Sequence, residues 1–213
     1  MDRDEVWRTI DAERAALASL LMSLDEDEWA SPSLCAGWTV RDVAAHVISS
    51  PRATPTDVVR AMLRAGGDFD RAIYIEARRR AARPTEQIIE DYHLMAGSRR
   101  HPLGTTYVDP LVDVLVHTQD IAVPLGRVHA MPVDAAAAAA ALVWRRTFPF
   151  RARRRLRGYR LVATDTAWSA GEGLAVEGPI QAILLLLTGR TTAVRRAPGT
   201  AALQLVAPRG AHP

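Results

Sequence analysis

The sequence predicts a mainly α protein, a helical bundle over residues 1–150 followed by a small α/β domain over residues 158–213. Three observations carry this reading. In the first 150 residues apolar side chains recur at three- and four-residue steps between clear helix start and stop signals. The run Arg151-Ala152-Arg153-Arg154-Arg155-Leu156-Arg157 then interrupts the pattern with a basic connector. Beyond it, short β-rich runs, glycine turns and one apolar helix follow one another.

The elements can be justified in order. Val6, Ile10, Leu17, Leu20, Leu21 and Leu24 have helical spacing over residues 4–24, with Arg and Glu between them. Asp25 to Trp38 reads as irregular, broken by Ser31-Pro32-Ser33 and Gly37. A second helix begins at the N-cap Thr39, with Asp42 three residues on as a capping-box acid; Val40, Val43, Ala44 and Val47 form its apolar side. Residues 54–65 form a further helical piece with Thr54 as cap and Pro55 at N1, ended by Gly66-Gly67. A third bundle helix runs from Thr85 to about Ala96. The fourth has Asp109 at the N-cap, Pro110 at N1, an apolar body to Val123, and Pro124-Leu125-Gly126 as its stop. A fifth follows Asp134 through the alanine run to about Arg146. In the tail, Tyr159–Thr164, Leu174–Glu177 and Ala201–Ala207 read as strands, Gly171-Glu172-Gly173 as a turn, and Pro179–Gly189 as an apolar helix. A tail this short is expected to need the bundle for support.

Composition narrows the function classes. The 213 residues are 48% hydrophobic and 24% charged, values that suit a globular chain and argue against disorder. The pI is about 9.6, yet the formal net charge is only +3. Every basic residue among the 27 is arginine, and a group titrating above pH 12 raises the pI without adding net charge. The pI is thus no argument for a nucleic-acid partner; the arginine runs lack interleaved aromatics or a groove-reading motif. The absence of lysine and the abundance of alanine point to a GC-rich genome. The single cysteine, Cys35, allows no internal disulfide and suits a reducing compartment. The charged start Met1-Asp2-Arg3-Asp4-Glu5 has no apolar run behind it, and the longest apolar runs are too short to span a bilayer. The expectation is a cytoplasmic protein without a membrane partner.

The segment Asp113-Val114-Leu115-Val116-His117 carries the chemistry. Asp113 and His117 lie four apart on a helix, share a face, and can grip one ion. The surrounding residues are apolar, and a carboxylate among them is costly to bury unless paired or metal-bound. Imidazole with carboxylate suits zinc and other divalent transition metals. A third ligand must come from elsewhere, and His46, on the second helix, is the candidate. Three protein ligands with open positions define a catalytic metal site. On spacing alone an Asp-x-x-x-His pair is more often a surface or hydrogen-bonded pair, and Asp42, four residues before His46, offers that histidine a simple partner. Cys35 lies in a turn segment without an evident base beside it and reads as a small packed residue, as Trp38 and Trp144 do. Arg127 and Arg190, each just beyond a helix, are candidate binders of anionic cofactor or substrate groups, since a guanidinium can grip a carboxylate with two parallel hydrogen bonds.

Three blocks carry a family resemblance. Pro32-Ser33-Leu34-Cys35-Ala36-Gly37-Trp38-Thr39-Val40-Arg41-Asp42-Val43-Ala44-Ala45-His46 resembles the N-terminal signature of the mycothiol-dependent maleylpyruvate isomerase family, within the DinB-like four-helix bundles. Asp113 to Arg127 is similar to that family's second metal-binding segment, and Gly178 to Arg190 to the close of its small C-terminal domain. The resemblance runs from about residue 5 to about residue 207. It implies a DinB-like four-helix bundle with a C-terminal α/β domain, an actinobacterial source, a divalent metal (zinc) and the thiol mycothiol as cofactors. His46 and His117 take the places of the metal histidines and Asp113 that of the carboxylate, where the family usually has Glu; Asp is one methylene shorter. Asp120, three residues after His117, fits the role of orienting an imidazole. The implied reaction is a thiol-dependent cis-trans isomerisation of the maleylpyruvate type, or S-transfer to a small electrophile. A metal-dependent hydrolase and a non-catalytic metal-binding or regulatory protein on the same scaffold stay open, as does the choice of monomer or homodimer.

Overall fold

A computed structural model describes residues 1–101, 104–191 and the backbone of 204–206. The chain divides into two compact units, residues 2–125 and, with Met1, residues 126–213.

The first unit is helical. It comprises α1 (Arg3–Met22), α2 (Glu26–Ala30), α3 (Val40–Ser49), α4 (Pro55–Arg64), α5 (Phe69–Ala81), α6 (Thr85–Leu94) and α7 (Asp109–Ala122). Helices α1, α7, α3 and α6 each pack on the next and close a four-helix ring, the expected bundle. The sealed interior is built from Leu17 and Leu21 of α1, Val43, Val47 and Ile48 of α3, Ile88 and Tyr92 of α6, and Val114 and Ile121 of α7. Tyr92 is buried but satisfied, its hydroxyl donating to the Ala44 carbonyl at 2.9 Å. Helix α5 lies against α3 and carries α4 on it.

The helix starts follow the capping chemistry. The Asp42 carboxylate accepts from the backbone N–H and the hydroxyl of Thr39 at 2.9 and 2.8 Å, and Thr39 Oγ1 accepts from Asp42 N–H at 3.2 Å. This is the box expected for α3, and Arg78 of α5 adds an ion pair at 3.4 Å. Asp42 is therefore used at the cap. In α4, Thr54 and Asp57 form the same box ahead of Pro55. At α7 the expected N-cap shifts. Asp109 is already inside the helix, and its carboxylate reaches back to the N–H and hydroxyl of Thr106 at 2.6 and 2.8 Å. Two helices of this unit were not expected: α2, a single turn started by an Asp25–Glu28 box, and α5, whose mixed Arg and Ala surface hides its period.

The second unit holds α8 (Val133–Arg145), α9 (Ala152–Arg155), α10 (Ile180–Leu187) and a four-stranded sheet of β1 (Tyr159–Ala163), β2 (Ser169–Gly171), β3 (Leu174–Gly178) and β4 (Gln204–Val206). The strand order is β2-β1-β3-β4, with β1 and β3 parallel and the two outer pairs antiparallel. The alanine helix α8 groups with this unit rather than with residues 2–125. It buries Ala135, Ala136, Ala139, Ala140 and Val143 on one side and packs against the almost wholly apolar α10. Methyl side chains let the two backbones approach, which makes α8 a natural neighbour for a Leu-rich helix. The basic connector contains α9. From its end the Arg155 guanidinium donates to the carbonyls of Leu186 and Leu187 at 3.2 and 2.7 Å, closing the C-terminal end of α10. Strand β2 was missed, and Gly171 ends it at φ 84°, where an added Cβ would run into the Tyr159 carbonyl oxygen. The expected strand Ala201–Ala207 is present at Gln204–Val206; its remaining residues lie outside the described residues. Among the described residues, no helix is long and apolar enough to cross a membrane.

Candidate metal centre

Two facing helices of the bundle bring the expected residues together. The N-cap at Thr39 sets the phase of α3 so that Val43, Ala44, Val47 and Ile48 are buried and His46 stands at the margin of that face. On α7, buried Val114, Leu115 and Val116 fix the phase, and Asp113 and His117 share one partly open stripe one turn apart. His46 Nε2 lies 3.9 Å and His117 Nε2 3.4 Å from the same oxygen, Asp113 Oδ1. The imidazoles meet edge to face with centroids 5.1 Å apart. One ligand atom from each of the three residues lies within 4.8 Å of the others. Two atoms bound to one ion at about 2.0–2.2 Å can stand at most about 4.4 Å apart, so the two nitrogen–oxygen separations already fall within the span of a shared ion. The set is accessible, with side-chain exposures of 17% for His46, 27% for Asp113 and 13% for His117.

A surrounding layer orients these groups. Asp120 is fully buried, and its Oδ2 stands 2.8 Å from His117 Nδ1, opposite the nitrogen that faces Asp113. Cys35 Sγ donates to the same Asp120 oxygen at 3.1 Å and lies 3.9 Å from His117 Nδ1. Trp38 meets the His46 ring edge to face at a centroid distance of 5.4 Å. Arg14 of α1 is 3% exposed, and its charge acts on Asp113.

Electrostatics follow from this packing. Burial pushes the Asp113 carboxyl up, but the hydrogen bond from His117 and the charges of His117, His46 and Arg14 outweigh it and hold the group below the usual carboxylate range. Burial pushes His117 down, but hydrogen bonds to Asp113, Asp120 and Cys35 and the charge of Asp113 raise it well above its ordinary value of 6.5. Burial lowers the Arg14 guanidinium, with Asp11 and Asp113 opposing. Burial, reinforced by the Asp113 charge, pushes the Tyr92 hydroxyl up.

Sequence reasoning missed two members of this cluster. Cys35 is not merely a packed residue; its thiol faces Asp120 and His117. Nothing local in the sequence signals a partner that lies on a helix so distant in the chain. Arg14 did leave a signal, since it interrupts the apolar stripe between Ile10 and Leu17. Arg127 is exposed, and Arg190 donates to the Thr188 carbonyl at 2.9 Å; both belong to the second unit.

The fold and this cluster define a class: a four-helix bundle that gathers two histidines and a carboxylate between facing helices, in a chain that also carries a small α/β unit. The family profile described as the mycothiol maleylpyruvate isomerase N-terminal domain matches residues 10–122, over half of the chain. The protein belongs to the mycothiol maleylpyruvate isomerase family. Two solved structures share its fold. One is a mycothiol-dependent maleylpyruvate isomerase, at 17% identity and a TM-score of 0.61. The other is a histidine-to-alanine mutant of a mycothiol-dependent maleylpyruvate isomerase, at 16% identity and a TM-score of 0.60. Each match covers 89% of this chain and 90% of the other. Comparison with curated proteins finds no match.

Proposed function

We propose that the protein is a thiol-dependent metalloenzyme that isomerises a small cis-unsaturated dicarboxylic acid of the maleylpyruvate type or transfers the thiol sulfur to a small electrophile. The carrying observation is the convergence of His46, Asp113 and His117 on one partly open spot between α3 and α7. His46 Nε2, His117 Nε2 and an Asp113 oxygen would hold a divalent ion, with zinc the best fit to two imidazoles and a carboxylate. Such an ion, when bound, lowers the pKa of a thiol beside it, so that the nucleophilic thiolate prevails at neutral pH. The cofactor that supplies this thiol would be mycothiol, which the family's name carries.

The chain's own residues prepare the site. Asp120 would accept a hydrogen bond from His117 Nδ1–H, which would leave Nε2, on the Asp113 side of the ring, to give its lone pair to the ion. Trp38 fixes the tilt of the His46 ring. Arg14 balances part of the negative charge that Asp113 brings into the bundle. The exposure of all three ligand residues leaves room for small reactants. Arg127 and Arg190 stay candidates for binding anionic groups by their chemistry alone, since a guanidinium can grip a carboxylate.

The test combines metal content with turnover. Protein purified without chelators is expected to hold about one divalent ion per chain. His117→Ala is expected to lose it, and turnover of maleylpyruvate or of a model electrophile is expected to require both the ion and mycothiol. A metal-free wild type that stays empty after zinc soaking overturns the metalloenzyme reading. Cleavage of the model electrophile by water, with the ion but without thiol, moves the protein to metal-dependent hydrolysis.

A further inference from the structure

We propose that Cys35 is a positioning residue of this centre: its thiol holds the Asp120 carboxylate, and through it the His117 imidazole, in the orientation that a divalent ion requires. The inference rests on the metalloenzyme reading above and adds to it a residue outside the ligand set.

The segment between α2 and α3 is built to deliver this side chain. Pro32 and Thr39 pair as an antiparallel bridge. Inside that bridge, the N–H and hydroxyl of Ser33 both donate to the Trp38 carbonyl at 2.9 Å, the Cys35 N–H donates to Ser33 Oγ at 3.1 Å, and the Trp38 N–H donates to the Cys35 carbonyl at 3.0 Å. Gly37 at φ 79° makes the turn that these bonds require. The loop is then fastened to α7, where the Leu34 N–H donates to the Asp120 carbonyl at 3.0 Å and the Cys35 thiol to the Asp120 carboxylate at 3.1 Å. A fully buried carboxylate needs such donors. From the same loop, Trp38 packs on His46. One short segment thus supports both histidines, one by way of Asp120 and one directly.

The same three residues, Cys35, His117 and Asp120, also present atoms within 4.8 Å of one another and could be read as a second cation pocket. The distances favour hydrogen bonds. Ligands at about 2.0–2.3 Å around a tetrahedral ion stand about 3.3–3.7 Å apart. Nδ1 to Oδ2 is 2.8 Å and Sγ to Oδ2 is 3.1 Å, both shorter than that and both suited to a shared proton. Cys35 supports the centre from outside it.

Cobalt(II) binding by metal-free protein, in competition with a chelator, tests this on wild type, Cys35→Ala, Cys35→Ser and His117→Ala, with thermal unfolding of each metal-free form in parallel. Loss of an outer support typically weakens metal affinity about 10–100-fold, and Cys35→Ala is expected to fall in that range. Cys35→Ser, which keeps a donor at the same place, is expected to recover most of the affinity. The wild-type cobalt spectrum is expected to lack a sulfur-to-cobalt charge-transfer band. Unchanged affinity in Cys35→Ala overturns the proposal. Equal loss in the Ala and Ser variants, tracking a loss of thermal stability, reduces Cys35 to packing and also overturns it. A charge-transfer band that disappears in Cys35→Ala makes Cys35 a ligand and overturns it in a third way. Absence of cobalt binding by the wild type strikes the metalloenzyme reading itself, and the proposal falls with it.

Discussion

Replacing Asp120 by Asn separates the charge behind His117 from its shape. The carboxylate is wholly buried and its Oδ2 serves two groups, His117 Nδ1 at 2.8 Å and the Cys35 thiol at 3.1 Å. An amide fills the same volume with one acceptor oxygen, but it carries no charge and turns a donor NH2 toward one of its neighbours. A hydrogen bond to a charged group contributes about 1.5–3 kcal/mol and a neutral one about 0.5–1.5 kcal/mol. The metal-free protein should therefore lose on the order of 1 kcal/mol from the His117 contact, which lowers the unfolding temperature by about 2–8 °C for domains of this size range. Metal binding should suffer more, because His117 is no longer held with Nε2 toward Asp113. The expected loss is about 10–100-fold in zinc affinity, or about 1.4–2.8 kcal/mol. Calorimetry in the presence of a chelator gives the first quantity and zinc competition the second. Zinc affinity equal to wild type in Asp120→Asn, beside abolished binding in His117→Ala, would falsify the idea that the buried carboxylate orients the imidazole.

Further expectations follow from the same structure. In the metal-free protein the raised His117 contributes stability that is complete below its ordinary value of 6.5 and lost as pH rises through its folded value, whereas the depressed Asp113 contributes stability present above its ordinary 3.8 and lost as pH falls through its folded value. Unfolding temperature measured with chelator should accordingly decline from about pH 6 toward alkaline pH, and a steady rise instead would contradict the pairing. Zinc affinity should move the other way and weaken on acidification, because the ion must displace the His117 proton. Tyr92→Phe removes the buried bond to the Ala44 carbonyl and should cost about 0.5–1.5 kcal/mol, read as a shift in urea midpoint at constant slope. Gly171→Ala forces a left-handed backbone on a residue with a Cβ and drives that atom into the Tyr159 carbonyl; a loss of at least about 1–2 kcal/mol is expected, and an unchanged unfolding temperature would show that the β2 turn is placed wrongly.

The parts of this architecture that were legible in the sequence are those with local signals. The capping box Thr39–Asp42, the cap Thr54 ahead of Pro55 and the apolar spacing of α1 and α7 each lie within a few residues of the structure they cause. The same locality made Asp113 and His117 visible as a pair. Helix α5 was hidden because Ala72, Ala77 and Ala81 are its buried positions, and alanine gives a weak hydrophobic period. Helix α8 showed itself as a helix, but an alanine face does not say which neighbour it will approach. The support of the centre was hidden for a different reason: Cys35 meets Asp120, and Arg14 influences Asp113, across separations at which sequence carries no pattern. Arg14 could still have been noticed, since a charge at the middle of an apolar stripe demands a buried partner.

His46 enters from α3 and Asp113 and His117 from α7, so the three are joined through the chain only by a long excursion over α4, α5 and α6. An ion shared among them would close that excursion as a covalent staple does. A cross-link around a loop of roughly 65 residues removes on the order of 4 kcal/mol of freedom from the unfolded chain. The helices α4, α5 and α6 would then sit inside a loop whose tightness depends on the free concentration of the ion, and the protein's resistance to unfolding would become a readout of metal supply in the cell that makes it.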